Sequence, residues 1–155
     1  VNFLDGIEIP YRLLRGNRPL DPDFDEREVL FHRFNKLIDV DEHIYPSSIR
    51  FPDFSVNRSK YSEPYDILIP KYFDWGIFSF QVKDIPDPIS IPGDKLTLYQ
   101  FNAEHVPLEE NYSHSEVRTS KDGVYVKDMK IKNKIIKKTF RFKLSDKATI
   151  IKYPD

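Results

Sequence analysis

The stretch Trp75-Gly-Ile-Phe-Ser-Phe-Gln-Val-Lys83 alternates from Phe78 to its end. Phe78, Phe80 and Val82 fall on one side, and Ser79, Gln81 and Lys83 on the other. A period of two marks a half-buried strand, because successive side chains of an extended chain point to opposite faces. A helix would scatter the same aromatics around its circumference. The rest of the chain repeats this habit between proline breaks: twelve prolines stand against five glycines, with nine tyrosines, twelve phenylalanines and one tryptophan. Proline stiffens connections, and aromatic residues favour the pleated surface of a sheet. The chain is therefore expected to be α+β, a single domain (residues 1–155) dominated by antiparallel β-sheet with one or two short helices.

Other elements follow from local chemistry. Asp21-Pro-Asp-Phe-Asp-Glu reads as a helix start, with an Asp cap, Pro at the first helical position and carboxylates in the first turn. A short helix there is expected to lead into a strand at Val29-Leu-Phe-His-Arg-Phe34, with His32 and Arg33 on opposite faces. Leu30, Phe34, Leu37 and Ile38 also fit a helical stripe. Ser62 or Glu63 before Pro64 looks like a second helix opening. Ile85–Gly93 reads as a rigid connector, and Lys95–Phe101 resumes strand character. Asp122-Gly123 signals a hairpin turn. Beyond it Met129 and Ile131, then Phe140, Phe142 and Leu144, alternate with polar residues around a turn at Lys132-Asn133-Lys134. The C-terminal quarter, 121–153, is accordingly read as basic and strand-rich.

Charge is unevenly spread. Residues 1–120 carry 13 basic and 21 acidic side chains, whereas residues 121–152 carry 11 basic and 3 acidic. The near-neutral total is silent on partners, but the basic quarter is a candidate surface for nucleic acid. Edge protection explains the same lysines, since edge strands carry Lys to discourage sheet-to-sheet association.

The absence of cysteine excludes disulfides, thiolate chemistry and Cys-ligated zinc. Any metal must then be held by His and carboxylates, and no spacing names one or specifies a cofactor. No apolar run is long enough to span a bilayer, so no membrane partner is expected, and a soluble, cytoplasmic protein is the default. The acidic residues 39–42 lack the Gly and terminal Glu of a calcium loop, and no phosphate-binding loop of the Walker type is present. Asn57-Arg-Ser59 and Asn111-Tyr-Ser113 match the glycosylation tripeptide, which matters only in a secreted protein.

Chemistry-bearing side chains gather at residues 105–118. If Tyr112–Arg118 is extended, His114, Glu116 and Arg118 line one face, with Ser113, Ser115 and Val117 on the other. Such a ladder is ordinarily a charged sheet face, so the functional reading needs a cavity. A second polar run, Asn57-Arg-Ser-Lys-Tyr61, offers donors suited to phosphate or ribose oxygens ahead of a helix opening. Arg15-Gly-Asn-Arg18 is a further arginine-flanked turn.

The expected site therefore uses His105, His114 and Glu116 for acid–base chemistry. Asn57, Arg58, Lys60, Tyr61, Tyr112 and Arg118 serve in binding, and a nucleotide or nucleic acid is the substrate. The alternative is a non-catalytic nucleic-acid-binding or protein-interaction module built on the Lys-rich C-terminal strands. The enzymatic reading needs the 57–61 and 105–118 stretches to meet in space.

Overall fold

The computed structural model describes residues 3–4, 6–36, 43–91, 93–126 and 134–155. In chain order the strands are β1 (Phe3–Leu4), β2 (Ile7–Glu8), β3 (Val29–Phe34), β4 (Phe54–Arg58), β5 (Gly76–Gln81), β6 (Ile89–Ile91), β7 (Asp94–His105), β8 (His114–Lys121), β9 (Val124–Tyr125) and β10 (Thr149–Lys152). An α-helix, α1 (Lys134–Lys147), precedes the last strand. β1 and β2 form a small ribbon. The other eight strands form one antiparallel sheet in the order β10-β5-β3-β4-β8-β7-β6, with β9 beside β8. The expected α+β architecture is present, and strand dominates it.

The strand expected at 75–83 is β5, which pairs with both β3 and β10. Its alternation ends at Gln81, because Val82–Asp84 turns into a short 3-10 segment closed by Asp84 Oδ2 accepting from Gln81 N at 2.9 Å. Gly76 lies opposite Phe34. A Cβ there would stand 2.6 Å from the Lys152 carbonyl oxygen and 2.8 Å from Phe34 Cε1, so only glycine lets these groups approach. The Asp122-Gly123 turn joins β8 to β9, with φ of 51° and 84°, the positive values that a two-residue hairpin requires.

The sheet has two unlike faces. On one, Leu30, Phe34, Phe54, Val56, Phe78, Phe80 and Val117 pack beneath α1, which contributes Ile136, Phe140 and Leu144. Phe140 meets Phe101 and Phe51 with ring centroids 4.7 and 5.3 Å apart. On the other face a smaller cluster of Phe31, Ile67, Leu68 and Ile77, flanked by Tyr72 and Trp75, covers only part of the surface.

Two expectations fail. The segment after Asp21 forms no helix, and its backbone carbonyls explain why: Asp21 O and Asp23 O accept from the Arg58 guanidinium at 2.6 and 2.8 Å, so tertiary bonds replace the intrahelical ones. The opening at residue 63 does form, as a 3-10 turn, Pro64–Leu68. The C-terminal quarter is not strand-rich. Residues 140–144 lie in α1, where Ile136, Phe140 and Leu144 recur every four residues on the buried side while Phe142 is exposed. Leu37, Ile38, Met129, Ile131 and most of the turn at 132–134 lie outside the described residues. The connector at 85–93 contains β6.

Candidate functional site

The 57–61 and 105–118 stretches meet. β4 pairs with β8, placing Asn57 opposite His114 and Ser55 opposite Glu116. Arg58 N donates to Ser113 O at 3.0 Å, and the rings of Tyr61 and Tyr112 lie edge-on at 4.8 Å. β8 alternates as its sequence suggests: Ser115, Val117 and Thr119 are buried, and His114, Glu116 and Arg118 half-buried on the other face.

The sheet nevertheless divides the expected site in two. His105 pairs with Ser115 across β7 and β8, so it shares the core face and stands behind the sheet from His114 and Glu116. Both of its nitrogens are engaged: Nδ1 accepts from Asp21 N at 2.9 Å, and Nε2–H donates to Tyr112 O at 2.7 Å. Burial lowers its pKa, with the charge of Arg58 acting the same way against the Tyr112 carbonyl. The neutral ring is a strut, stacked on Tyr61 at 6.0 Å.

Arg58 is likewise committed. Its side chain is fully buried and makes four hydrogen bonds, to both oxygens of Glu28 and to the carbonyls of Asp21 and Asp23, while lying 3.9 Å from the Phe24 ring centre. Lys60 and the Tyr61 hydroxyl converge on Asp21, whose pKa they lower. Tyr112 donates to Pro19 O under the Arg18 guanidinium, 3.7 Å above its ring. These four expected binding residues thus knit the 18–28 segment to the sheet. Of the arginine-flanked turn, Arg18 bonds Arg12 O at 2.8 Å and Arg15 bonds Arg18 O at 3.3 Å.

The polar face keeps the remaining candidates together. Glu116 and Arg118 pair at 3.2 Å, and Arg118 stacks on Tyr125 at 4.6 Å. His114 Nδ1–H donates to Val106 O at 2.7 Å, which leaves Nε2 as an acceptor with no partner among the described residues. Asn57 is 2% exposed. Its Oδ1 accepts from Asn111 Nδ2 at 2.8 Å, and Asn111 Oδ1 in turn accepts from the Ser113 hydroxyl at 2.6 Å. Asn57 Nδ2 has no hydrogen-bond partner, the sole such buried side-chain atom among the described residues. Leaving a buried donor unsatisfied costs about 1–3 kcal/mol, so the exception calls for an explanation.

Asn57 and His114 line a recess of about 60 Å³ that shares its walls with a cleft of about 240 Å³. Arg33, Ser55, Asp66 and Asn111 complete its polar floor, while Ile69 and loop residues wall it. Asp66 accepts from Glu63 N at 2.8 Å and is held bidentately by Arg12. Arg33 stacks 3.8 Å above Tyr72 and pairs with no carboxylate among the described residues, and burial lowers its pKa. A wider groove of about 860 Å³ along Tyr11, Arg12 and Arg15 adjoins the cleft at Ile9 and Glu110.

Sequence reasoning missed Arg33, Asp66 and Asn111. Only Arg33 carried a signal, its place opposite in phase to His32 on β3. Both glycosylation tripeptides are built into the fold, with Asn57 and Ser113 buried. Among the described residues no group of three or more His, Asp or Glu could hold a metal, and no helix is long and apolar enough to cross a membrane. Comparison with protein-family models, curated proteins and solved structures finds no match.

Proposed function

We propose that the cleft on the polar face binds the anionic group of a small molecule, and that His114 exchanges a proton with the ligand through Nε2. The observation carrying this is the buried Asn57 Nδ2, a donor without an acceptor, in a cleft that also holds the carboxylate-free Arg33. Both groups gain from an incoming oxyanion, and guanidinium with amide donors suit its two oxygens. His114 then supplies acid–base chemistry, its tautomer set by the Val106 carbonyl. Glu116 and Arg118, paired to each other beside it, tune the local charge. The nucleotide-directed activity expected from the sequence survives here as the idea that a phosphate or carboxylate seats on Arg33 and Asn57, with His105 and Arg58 acting only as supports.

The test is a titration of the protein with acetate, inorganic phosphate and adenosine monophosphate, followed by the NMR signals of the Asn57 side-chain amide and the His114 ring. At least one anion should move both together, and Asn57→Leu should abolish the movement of the His114 signal. If no anion moves either, the reading is wrong.

A second reading rests on α1, whose lysines 134, 137, 138, 143 and 147 are exposed, as is Phe142 at 57%. Nucleic acid binding there would act from a helix face instead of a β-ribbon, and would weaken steeply with salt.

A further inference from the structure

We infer that the ligand of this cleft is a small monocarboxylate with an apolar body, and not a phosphate ester. The inference rests on the anion-binding reading above and narrows its ligand class by charge, wall chemistry and size.

Charge comes first. Two carboxylates line the same cleft, Asp66 and Glu110. Asp66 is neutralised by Arg12, which uses its guanidinium on both oxygens. That leaves Arg33 as the cation for an incoming ligand and Glu110 as an opposing charge. One guanidinium with one amide donor matches a monoanion bearing two oxygens. A phosphate dianion would bring a second charge against Glu110, with no second permanent cation lining the cleft to receive it.

The walls point the same way. Above the polar floor the cleft is lined by Ile9, Leu13, Ile69, Pro70, Tyr72 and Leu108. A sugar or further phosphate would meet these apolar groups without hydrogen-bond partners, whereas a hydrocarbon or phenyl body gains by leaving water. Size completes the argument: a cleft of about 240 Å³ lies below the roughly 300–1,000 Å³ of pockets for drug-sized ligands. It accommodates a benzoate-sized molecule, while a whole nucleotide would project beyond it.

The experiment compares benzoate, hexanoate, phenyl phosphate, inorganic phosphate and the uncharged benzamide, using wild-type full chain and the same Asn57 and His114 NMR signals. Benzoate or hexanoate should shift both signals at concentrations at least tenfold lower than phenyl phosphate requires, and benzamide should shift neither. Arg33→Gln should weaken the carboxylate at least tenfold. If phenyl phosphate binds as tightly as benzoate, or if Arg33→Gln leaves benzoate binding unchanged, the monocarboxylate assignment falls while the anion site stands. Silence of both signals to every anion overturns the two together. The wild-type comparison decides the matter even where a variant does not fold.

Discussion

Asn57 and His114 stand opposite each other in the β4–β8 ladder, and each leaves one side-chain nitrogen without a partner among the described residues. A sheet interior selected for stability alone would fill this position with an apolar side chain. Asn57→Leu removes the unsatisfied donor and frees Asn111, which is half-exposed and open to water. Stability should therefore stay within about 1 kcal/mol of wild type or rise, while anion binding is lost. Urea denaturation checks the first part. A loss of 3 kcal/mol would make Asn57 a structural residue.

The two histidines of the 105–118 segment should respond unequally. His105→Phe keeps a ring against Tyr61 and Tyr112 but strands the Asp21 N–H and the Tyr112 carbonyl, costing about 1–3 kcal/mol for each group left unsatisfied. His114→Phe gives up one bond to Val106 O at a half-buried position, so about 0.5–1.5 kcal/mol is expected. Equal destabilisation of the two variants in paired melts would contradict the division of roles.

Arg58 is a fully buried cation whose removal leaves Glu28, 6% exposed, without its counter-charge. Arg58→Leu should cost about 3–5 kcal/mol, and the 18–28 segment, held by the same guanidinium, should lose its protection from amide exchange first. Unchanged exchange at Asp21 and Glu28, whose N–H groups donate to His105 Nδ1 and Asp25 O, would show that the segment is anchored some other way.

Most strands were legible because their patterns are local. The alternation at 78–81, the His32/Arg33 phase on β3 and the Asp-Gly turn each need only a few neighbouring residues. What was not legible depends on distance. The Asp21-Pro22 cap fails as a helix start because a guanidinium 37 residues away takes its carbonyl. In α1 the residues Phe140, Phe142 and Leu144 fit a period of two as well as Ile136, Phe140 and Leu144 fit a helix, and only packing against Phe101 decides between them. The site shows the same limit: the polar run at 57–61 and the cluster at 105–118 were recognised, yet nothing local tells that Arg58 faces the core and Asn57 the cleft, since one step along a strand reverses the face.

Gly76 offers a test of the close approach between β5, β3 and β10. Gly76→Ala would press its Cβ against the Lys152 carbonyl and Phe34, and a backbone oxygen cannot swing aside as a side chain does. The expected cost is about 1–3 kcal/mol, with β10 displaced from the edge of the sheet. A melting curve identical to wild type would show that β10 is not held there in solution.

Acid should weaken the fold through His32. The ring is 8% exposed between Phe54 and Phe78, and Nδ1–H donates to Ser55 O at 2.6 Å. Burial pushes its pKa down to about 3, with the charges of Arg33 and Arg50 acting the same way and the carbonyls of Ser55 and Ser48 opposing. The unfolded chain holds this imidazole near 6.5, so on acidification the unfolded state takes up the proton first. Above pH 7 the group is neutral in both states and stability is flat with respect to it. Below about 6.5 stability falls as the pH falls, approaching about 1.4 kcal/mol per pH unit, and the loss continues until the folded ring titrates near 3. His105, whose pKa is also lowered by burial, adds a decline of the same sign. Urea denaturation between pH 8 and pH 5.5, above the carboxylate range, isolates the effect. His32→Phe keeps the aromatic packing and has no proton to bind, so its stability should decline visibly less over that interval. Parallel curves for the two proteins would mean that the His32 ring titrates within the fold as it does in the unfolded chain.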